Sequence, residues 1–217
     1  IDYDKFSIEY GDTLVDPKHW DEEPFEAIVS NPPYSIKWEG SDNGLLINDP
    51  RFAPAGVLAP KSKADFAFIM HCLHWLATNG TAAIVCFPGI MYRGGAEKKI
   101  RKYLIENNYI ESIIQLPDNL FYGTNIATCI MVLKKSKIDN KTLFIDASKE
   151  SIKATNSNRL DSKNIENILN VYKNRKTEAH LATLVKQEDI EKEDYNLSVS
   201  TYVQTEDISE VIDISAL

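Results

Sequence analysis

A double proline follows a short apolar run and sets two rigid hydrogen-bond acceptors beside an aromatic ring. Residues 27–29 (Ala-Ile-Val) lead through one serine into Asn31-Pro32-Pro33-Tyr34. The asparagine side-chain oxygen and the Pro32 carbonyl are acceptors that no helix or sheet ladder needs, and each proline locks its own φ. Two acceptors side by side suit an –NH₂ group, because they can take both hydrogens and aim the nitrogen lone pair outward. Enzymes that modify a base hold it between aromatic side chains, and Tyr34 can serve as one of them.

A strand has to deliver this tetrapeptide to the edge of a sheet. The apolar run predicts a buried strand over residues 25–29, and ligands of open α/β sheets bind at the carboxyl ends of strands. The alternative is a plain turn, since Asn and Pro are common in turns. The long segment over residues 35–62 that follows either borders a substrate entrance or is a mobile surface loop.

Helical and strand patterns alternate after that segment. Helical spacing of apolar residues predicts a helix over residues 62–78, begun by a capping box of Ser62 and Asp65 and ended by Asn79-Gly80. An unbroken apolar run predicts a central strand over residues 81–87, and a second helix is expected over residues 96–106.

The next two strands predict the topology. Strands are expected over residues 110–116 and 126–133, so only residues 117–125 connect them. A parallel crossover needs a dozen or more residues, so this pair must be antiparallel. The result is a mostly parallel α/β sheet that includes an antiparallel hairpin. Residues 143–146 are expected as an edge strand, and residues 161–176 as an amphipathic helix that turns Ile165, Ile168, Leu169 and Tyr172 to one face.

A known family shows the same segments in the same order. Residues 30–34 resemble the (N/D)PP(Y/F/W) motif of amino-methyltransferases that use S-adenosylmethionine. The other similar segments are residues 11–14 (GDTL), 64–68 (ADFAF), 93–97 (RGGAE), 116–124 (LPDNLFYGT) and 194–198 (DYNLS). Together they resemble the modification (M) subunit of type I restriction–modification systems, which are DNA adenine-N6 methyltransferases. The implied fold is the Rossmann-like methyltransferase fold, with a mostly parallel sheet and a terminal antiparallel strand.

This resemblance implies roles at the target side of an active site. Asn31, Pro32, Pro33 and Tyr34 would be the catalytic residues, with the target adenine stacked on Tyr34. An aromatic residue in the loop over residues 117–125 would stack on the other side of the base, Phe121 first and Tyr122 second. The structural alternative for these two aromatic residues is a hydrophobic plug under the loop.

The resemblance also implies a cofactor, S-adenosylmethionine. Asp12, Thr13 and Leu14, together with Asn31, would bind it, and the Asp12 carboxylate can accept a hydrogen bond from an adenine amino group. The alternative for Asp12 is a solvated residue in a turn. His71 and His74 are expected in packing or at the surface, and no metal is expected.

Part of the family's cofactor side is not found in this sequence. The family's glycine-rich turn and the acidic residue for the ribose would precede Asn31, where only 30 residues stand. The expectation is therefore a carboxyl-terminal portion of the catalytic domain over residues 1–134, with an α/β extension over residues 135–217 that packs on the core or on a partner. The N-terminal part of the fold would be absent, and this chain alone should bind the cofactor weakly or not at all.

Composition limits the setting and the partners. No apolar run reaches the roughly 18 residues needed to span a membrane, and three cysteines are an odd count that argues against a disulfide framework. A cytoplasmic protein is expected. The net charge of −8 predicts weak binding to DNA alone, because DNA affinity comes from Lys and Arg on phosphates. The resemblance implies double-stranded DNA bound through a complex with a specificity subunit, a second modification subunit and a restriction subunit.

Other functions remain open: enzymes that use the same amino-group chemistry on another substrate, and a module without catalytic activity. A protein-glutamine or RNA-adenine N-methyltransferase also acts on –NH₂ groups, so residues 31–34 cannot separate them from a DNA enzyme. A catalytically silent assembly module is the third alternative. The segments at residues 93–97 and 119–124 favour the type I DNA family.

Overall fold

The computed structural model describes residues 6–19, 23–122 and 124–204. Parts of three predicted segments lie outside the described residues. They are residues 1–5 and 20–22 of the predicted catalytic portion, Gly123 of the predicted loop and residues 205–217 of the predicted extension. The strands are β1 Phe25–Ser30, β2 Leu76–Cys86, β3 Ile110–Gln115, β4 Cys129–Lys134, β5 Lys141–Asp146, β6 Ile152–Lys153, β7 Asn158–Arg159 and β8 Ala182–Lys186. The α-helices are α1 Asp65–Trp75, α2 Gly95–Glu106, α3 Ser162–Asn174, α4 Gln187–Lys192 and α5 Val199–Tyr202.

Six strands form one sheet in the order β1-β2-β4-β3-β5-β8, and β6 pairs with β7 in a small separate ladder. β1 runs parallel to β2, and β3 runs parallel to β5. β4 lies antiparallel between β2 and β3, and β8 lies antiparallel on β5. The predicted mostly parallel sheet with an antiparallel β3–β4 hairpin is therefore confirmed. β5 and β8 continue the sheet beyond residue 134, and the boundary placed there stays a prediction.

Alternation along the strands divides the core between the two faces of the sheet. On one face Ile84, Met131, Ile113 and Phe144 pack against α1, α2, α4 and α5. On the other face, residues such as Val132 join a smaller cluster under α3. The carboxyl ends of β1, β2 and β3 thus stand at one edge of the sheet, with the helical layer that contains α1 beside them.

The predicted helix over residues 62–78 is wrong at both ends. α1 has Ala64 at its N-cap with no side-chain cap, because an alanine side chain has no acceptor, and Asp65 accepts from Ser35 instead of completing a capping box. At the other end Leu76 is already extended, and the chain continues directly into β2. Asn79-Gly80 therefore lies inside a strand, where Leu76 pairs with Phe25 of β1.

Two strands differ from prediction in their exposure. β1 was predicted to be buried, but it lies at the end of the sheet order and Val29 is 88% exposed. The strand predicted at the edge, over residues 143–146, is β5; it lies between β3 and β8, and Phe144 is fully buried.

The helix predicted over residues 161–176 is α3, which a capping box of Asp161 and Asn164 begins. Its predicted apolar face is partly wrong, because Ile168 and Val171 are buried whereas Ile165 and Leu169 are about half exposed. Within the described ranges, no helix combines the length and the apolar character needed to cross a bilayer.

Candidate active site

The Asn-Pro-Pro-Tyr tetrapeptide leaves the sheet at the carboxyl end of β1. Asn31 and Pro33 are exposed, whereas Pro32 and Tyr34 are half-buried. Because the two prolines cannot donate backbone hydrogen bonds, the strand ends here. The predicted position of the tetrapeptide at the end of a strand is confirmed.

Tyr34 and Asn31 are joined by a hydrogen bond. The Tyr34 hydroxyl donates to Asn31 Oδ1 at 2.8 Å. Burial, together with the nearby thiols of Cys86 and Cys129, raises the pKa of Tyr34 to about 12. The phenol therefore stays protonated and keeps its donor at neutral pH. A carbonyl-type oxygen has two lone pairs, so Asn31 Oδ1 can still accept a second hydrogen bond.

The chain just past Tyr34 is held by α1. Ser35 adopts a left-handed φ of 50°, and its N–H donates to both carboxylate oxygens of Asp65 at 3.2 Å. Asp65 is 5% exposed, at the first position of α1. This contact fixes the tetrapeptide against the first turn of the helix. No local pattern of residues could have predicted it, since 30 positions separate the two residues.

The long segment after the tetrapeptide is held by backbone hydrogen bonds and by packing. Its two ends pair: the Ala64 N–H donates to the Ile36 carbonyl at 2.9 Å, and the Trp38 N–H donates to the Lys61 carbonyl at 3.0 Å. Three short 3₁₀ turns lie between them. Arg51 is fully buried in this segment, so the alternative of a loose surface loop is wrong.

The loop between β3 and β4 stands at the same edge of the sheet as Asn31, since it follows the carboxyl end of β3. It rests on β7, where the Asn158 side-chain amide donates to the Asp118 carbonyl at 3.0 Å, and Leu120 packs on the smaller core cluster. Phe121 is half-buried and Tyr122 is fully exposed. Among the described residues, neither of these aromatic rings contacts the ring of Tyr34. Leu120, and not Phe121, is the apolar residue packed under this loop.

Asp12 opens a tight turn that precedes β1 in the chain. Its carboxylate accepts a hydrogen bond from the Leu14 N–H at 2.9 Å, and its carbonyl accepts from the Asp16 N–H at 2.8 Å. Asp12 and Thr13 are exposed, whereas Leu14 is buried. The turn therefore presents one carboxylate oxygen and one hydroxyl outward while its third side chain anchors it.

The structure brings this turn and the tetrapeptide to one cavity. Thr13 and Pro32 both line a cavity of about 330 Å³, whose walls include Ile28, Phe68 and Trp75. Asp12, Leu14 and Asn31 do not line it. The cavity has mostly apolar walls with a few polar groups, which is the usual character of a small-molecule site.

The resembling segment at residues 194–198 is bonded to the turn after β2 and to α2. Arg101 donates to the carbonyls of Ile90 and Tyr195, both at 2.9 Å, and the Leu197 N–H donates to the Met91 carbonyl at 2.8 Å. These bonds attach residues 194–198 to the turn after β2. Arg93, in the segment before α2, pairs with buried Glu97 at 3.7 Å.

The sequence did not predict the contacts that Asp65, Arg51 and His71 make near the site. Asp65 holds Ser35, and Arg51 holds the turn at residues 12–14 together with His71. His71 stacks on Trp75 with ring centroids 4.7 Å apart, in line with the packing role expected for it. Within residues 6–19, 23–122 and 124–204, no group of three His, Cys, Asp or Glu side chains is placed to hold a metal ion.

Comparison with known proteins shows which family the chain belongs to and which proteins it is similar to. A family model described as N-6 DNA Methylase matches residues 1–211. The MpnII type I restriction enzyme methylase subunit of Mycoplasma pneumoniae is 48% identical over 100% of this chain and 41% of its own length. The MjaVII methylase subunit of Methanocaldococcus jannaschii is 36% identical over 99% of this chain and 38% of its own length.

A solved structure gives the same result. The type I restriction–modification methyltransferase subunit from Streptococcus thermophilus superposes with a TM-score of 0.85 and is 44% identical, over 88% of this chain and 41% of that chain. The chain thus spans about two fifths of the length of the relatives it matches.

Proposed function

The chain belongs to the N-6 DNA methylase family, and from that membership we propose that it serves as part of a DNA methyltransferase that transfers a methyl group from S-adenosylmethionine to N6 of adenine. The protein would act as the modification subunit of a type I restriction–modification system. The single observation that carries this proposal is the exposed acceptor at Asn31, bonded to Tyr34 and standing beside a cavity that Thr13 and Pro32 share.

Asn31 and Pro32 hold the amino group of the target base. The free lone pair of Asn31 Oδ1 and the Pro32 carbonyl accept the two N6 hydrogens. Accepting both hydrogens draws the nitrogen toward a tetrahedral geometry, and its lone pair then points away from the acceptors. Pro33 keeps the second acceptor rigid. Because these acceptors are fixed before the base arrives, they stabilise the charge that grows on the nitrogen during transfer.

Tyr34 and the β3–β4 loop hold the plane of the base. Adenine leaves the duplex and stacks on the Tyr34 ring, with Phe121, or else Tyr122, on its other side. Base–aromatic stacking is worth about 1–3 kcal/mol for each base.

Asp12, Thr13 and Leu14, with Asn31, form the proposed cofactor side. When bound, S-adenosylmethionine supplies a methyl group carried on a sulfonium. The residues present fit this group, because the cavity that Thr13 lines has mostly apolar walls. The exposed carboxylate of the neighbouring Asp12, which does not line the cavity, can accept from a purine amino group. A strong general base is not required, since the N6 proton becomes acidic once the nitrogen carries positive charge.

Partners supply what this acidic chain lacks. With a net charge of −8, it has little of the phosphate-neutralising surface that gives affinity for DNA. We assign DNA contact to a complex with a specificity subunit, a second modification subunit and a restriction subunit. Residues 135–217 are proposed as an extension that packs on the core or on one of these partners.

The test uses the intact methylase assembled with its specificity subunit. Asn31→Ala should lower methylation of duplex DNA by about 100-fold or more, the usual cost of removing one transition-state hydrogen-bond partner. Cofactor binding should stay nearly intact, because Asn31 is only one of the four residues assigned to the cofactor side. Asn170→Ala, on the exposed side of α3, is the matched control and should methylate at the normal rate.

The same assay separates the competing functions. Duplex DNA, RNA and protein are offered in parallel, with mass spectrometry of the products. Methyl transfer to RNA or to glutamine in place of DNA would favour the alternative enzymes. No transfer to any of the three by the unsubstituted assembly would favour an assembly module.

A further inference from the structure

Arg51 lies fully buried with a hydrogen-bond acceptor for each of its five N–H groups. Its Nε donates to Asp49 Oδ1 at 2.9 Å. Nη2 donates to Asp49 Oδ2 and to the Leu14 carbonyl, both at 2.7 Å. Nη1 donates to the Thr13 carbonyl at 2.8 Å and to His71 Nδ1 at 3.1 Å. A guanidinium has five donors in a fixed plane, so every donor is matched.

These contacts join three parts of the chain that are distant in sequence. The two carbonyls belong to the turn at residues 12–14, Asp49 belongs to the segment between β1 and α1, and His71 belongs to α1. The paired carboxylate lets the Arg51 charge remain buried, because a buried charge without a partner is costly. The turn is thereby held at a set position relative to α1, which forms the wall of the cavity shared with Pro32.

Arg51 also determines which nitrogen of His71 carries the proton. An arginine side chain only donates, so His71 Nδ1 must be an acceptor. The neutral ring then carries its proton on Nε2, which faces Thr13 Oγ1 across a long contact of 3.4 Å. Burial first, and then the charges of Arg51 and His74, lower the pKa of His71 to about 4, while Asp49 acts in the opposite direction. His71 is therefore neutral at physiological pH.

We propose that Arg51 and His71 are positioning residues for the cofactor side of the site. Arg51 fixes the backbone of the turn at residues 12–14, and His71 occupies a lone pair of the Thr13 hydroxyl, so that the hydroxyl proton is left to donate to an acceptor atom of the molecule in the cavity. This inference rests on the proposed function, because it takes the cavity to be the S-adenosylmethionine site.

The first test is Arg51→Lys in the intact methylase assembled with its specificity subunit. A lysine has a compact head with three donors and cannot span two carbonyls, a carboxylate and an imidazole. We expect the KM for S-adenosylmethionine to rise by about 10-fold or more, as two charge-assisted hydrogen bonds to the turn are lost. The kcat at saturating cofactor and the Kd for duplex DNA should change little.

Arg101→Lys is the matched control. Arg101 is equally buried and also donates to two backbone carbonyls, but it braces Ile90 and Tyr195 and not the turn. It should lower the Tm as Arg51→Lys does and leave the KM for the cofactor unchanged. An equal rise of KM in both variants, or a fall of kcat without a rise of KM in Arg51→Lys, would show that Arg51 is merely structural and overturn the proposal.

A second pair of variants tests the same proposal if Arg51→Lys does not fold. His71→Asn keeps an acceptor near Arg51 Nη1 and removes the donor to Thr13, while Thr13→Val removes the hydroxyl. Each should raise the KM for the cofactor several-fold, and the double variant should raise it no further, because the two changes break one interaction. Additive effects would refute the coupling of His71 to Thr13. The proposed function fails separately, if the unsubstituted assembly does not methylate adenine in DNA.

Discussion

Tyr34 combines two tasks in one side chain at the candidate site. Its ring offers a stacking face, and its hydroxyl holds the amide of Asn31 with the oxygen turned to a known direction. The stacking task could be predicted from the residue type alone. The hydrogen bond depends on the turn that the two prolines and Ser35 impose, and Asp65 holds that turn from another element. A residue can therefore be named from a motif while the way it is oriented comes from a distant contact.

Tyr34→Phe tests the hydroxyl apart from the ring. The variant keeps the stacking face and loses the 2.8 Å hydrogen bond to Asn31 Oδ1, so the amide is less well oriented. We expect the single-turnover methylation rate of the assembled enzyme to fall by about 2–12-fold, the value of one net hydrogen bond. Binding to duplex DNA should be unchanged. Tyr34→Ala, which also removes the ring, should be more severely impaired; equal rates for Tyr34→Phe and the unsubstituted enzyme would remove the hydroxyl from the mechanism.

The elements were predicted well where a local pattern determines them and poorly where a neighbouring strand does. The antiparallel pairing of β3 and β4 followed from the short connection, and α2 followed from the helical pattern over residues 96–106. The end of α1 did not follow, because Leu76 has helical spacing but pairs with Phe25 of β1. Gly80 likewise has the position of a helix stop in the sequence and the function of a strand residue in the fold.

Gly80→Ala tests that function. A Cβ at position 80 would lie 2.8 Å from the Phe25 carbonyl oxygen and 3.0 Å from that of Glu26, and both are backbone atoms of β1 that cannot turn aside. We expect a loss of about 1–3 kcal/mol in the free energy of unfolding, the usual cost of overpacking. Urea denaturation measures it. Gly44→Ala is the control, because a Cβ there meets no atom within 4 Å, and its free energy of unfolding should change by no more than about 0.5 kcal/mol. An equally small change in Gly80→Ala would contradict the prediction, because it would show that β1 and β2 can move apart to admit the methyl group at little cost.

At the scale of the whole molecule, the parts of the candidate site lie at one edge of the sheet, and residues of the segment between β1 and α1 connect them by hydrogen bonds. The tetrapeptide, the turn at residues 12–14 and the β3–β4 loop could each be predicted from their residues. Their arrangement could not, because Arg51 reaches Leu14 across 37 positions and Asp65 reaches Ser35 across 30. Buried charges and their partners carry no local periodicity, so a sequence indicates neither which arginine is buried nor which carbonyls it will hold.

The buried cluster around His71 predicts how the stability of the molecule depends on pH. The folded-state pKa of His71 is lowered to about 4, chiefly by burial and then by Arg51, whereas an imidazole in the unfolded chain titrates near about 6.5. Between these values the unfolded chain binds a proton that the folded chain does not. The free energy of unfolding should therefore fall as pH decreases from about 6.5 toward about 4. Burial lowers the pKa of neighbouring His74 as well, so it adds to the same trend.

His71→Asn should reduce this acid-induced loss, because the group that resists protonation is gone. Urea unfolding of the chain at pH 7.5, 6.0 and 5.0 measures the slope of stability against pH. Exposed His180, which has a left-handed φ of 60° that asparagine also tolerates, supplies the control His180→Asn, whose slope should match that of the unsubstituted chain. An unchanged slope in His71→Asn would mean that protonation of this ring is not coupled to unfolding, and would contradict the lowered pKa of His71 in the folded chain.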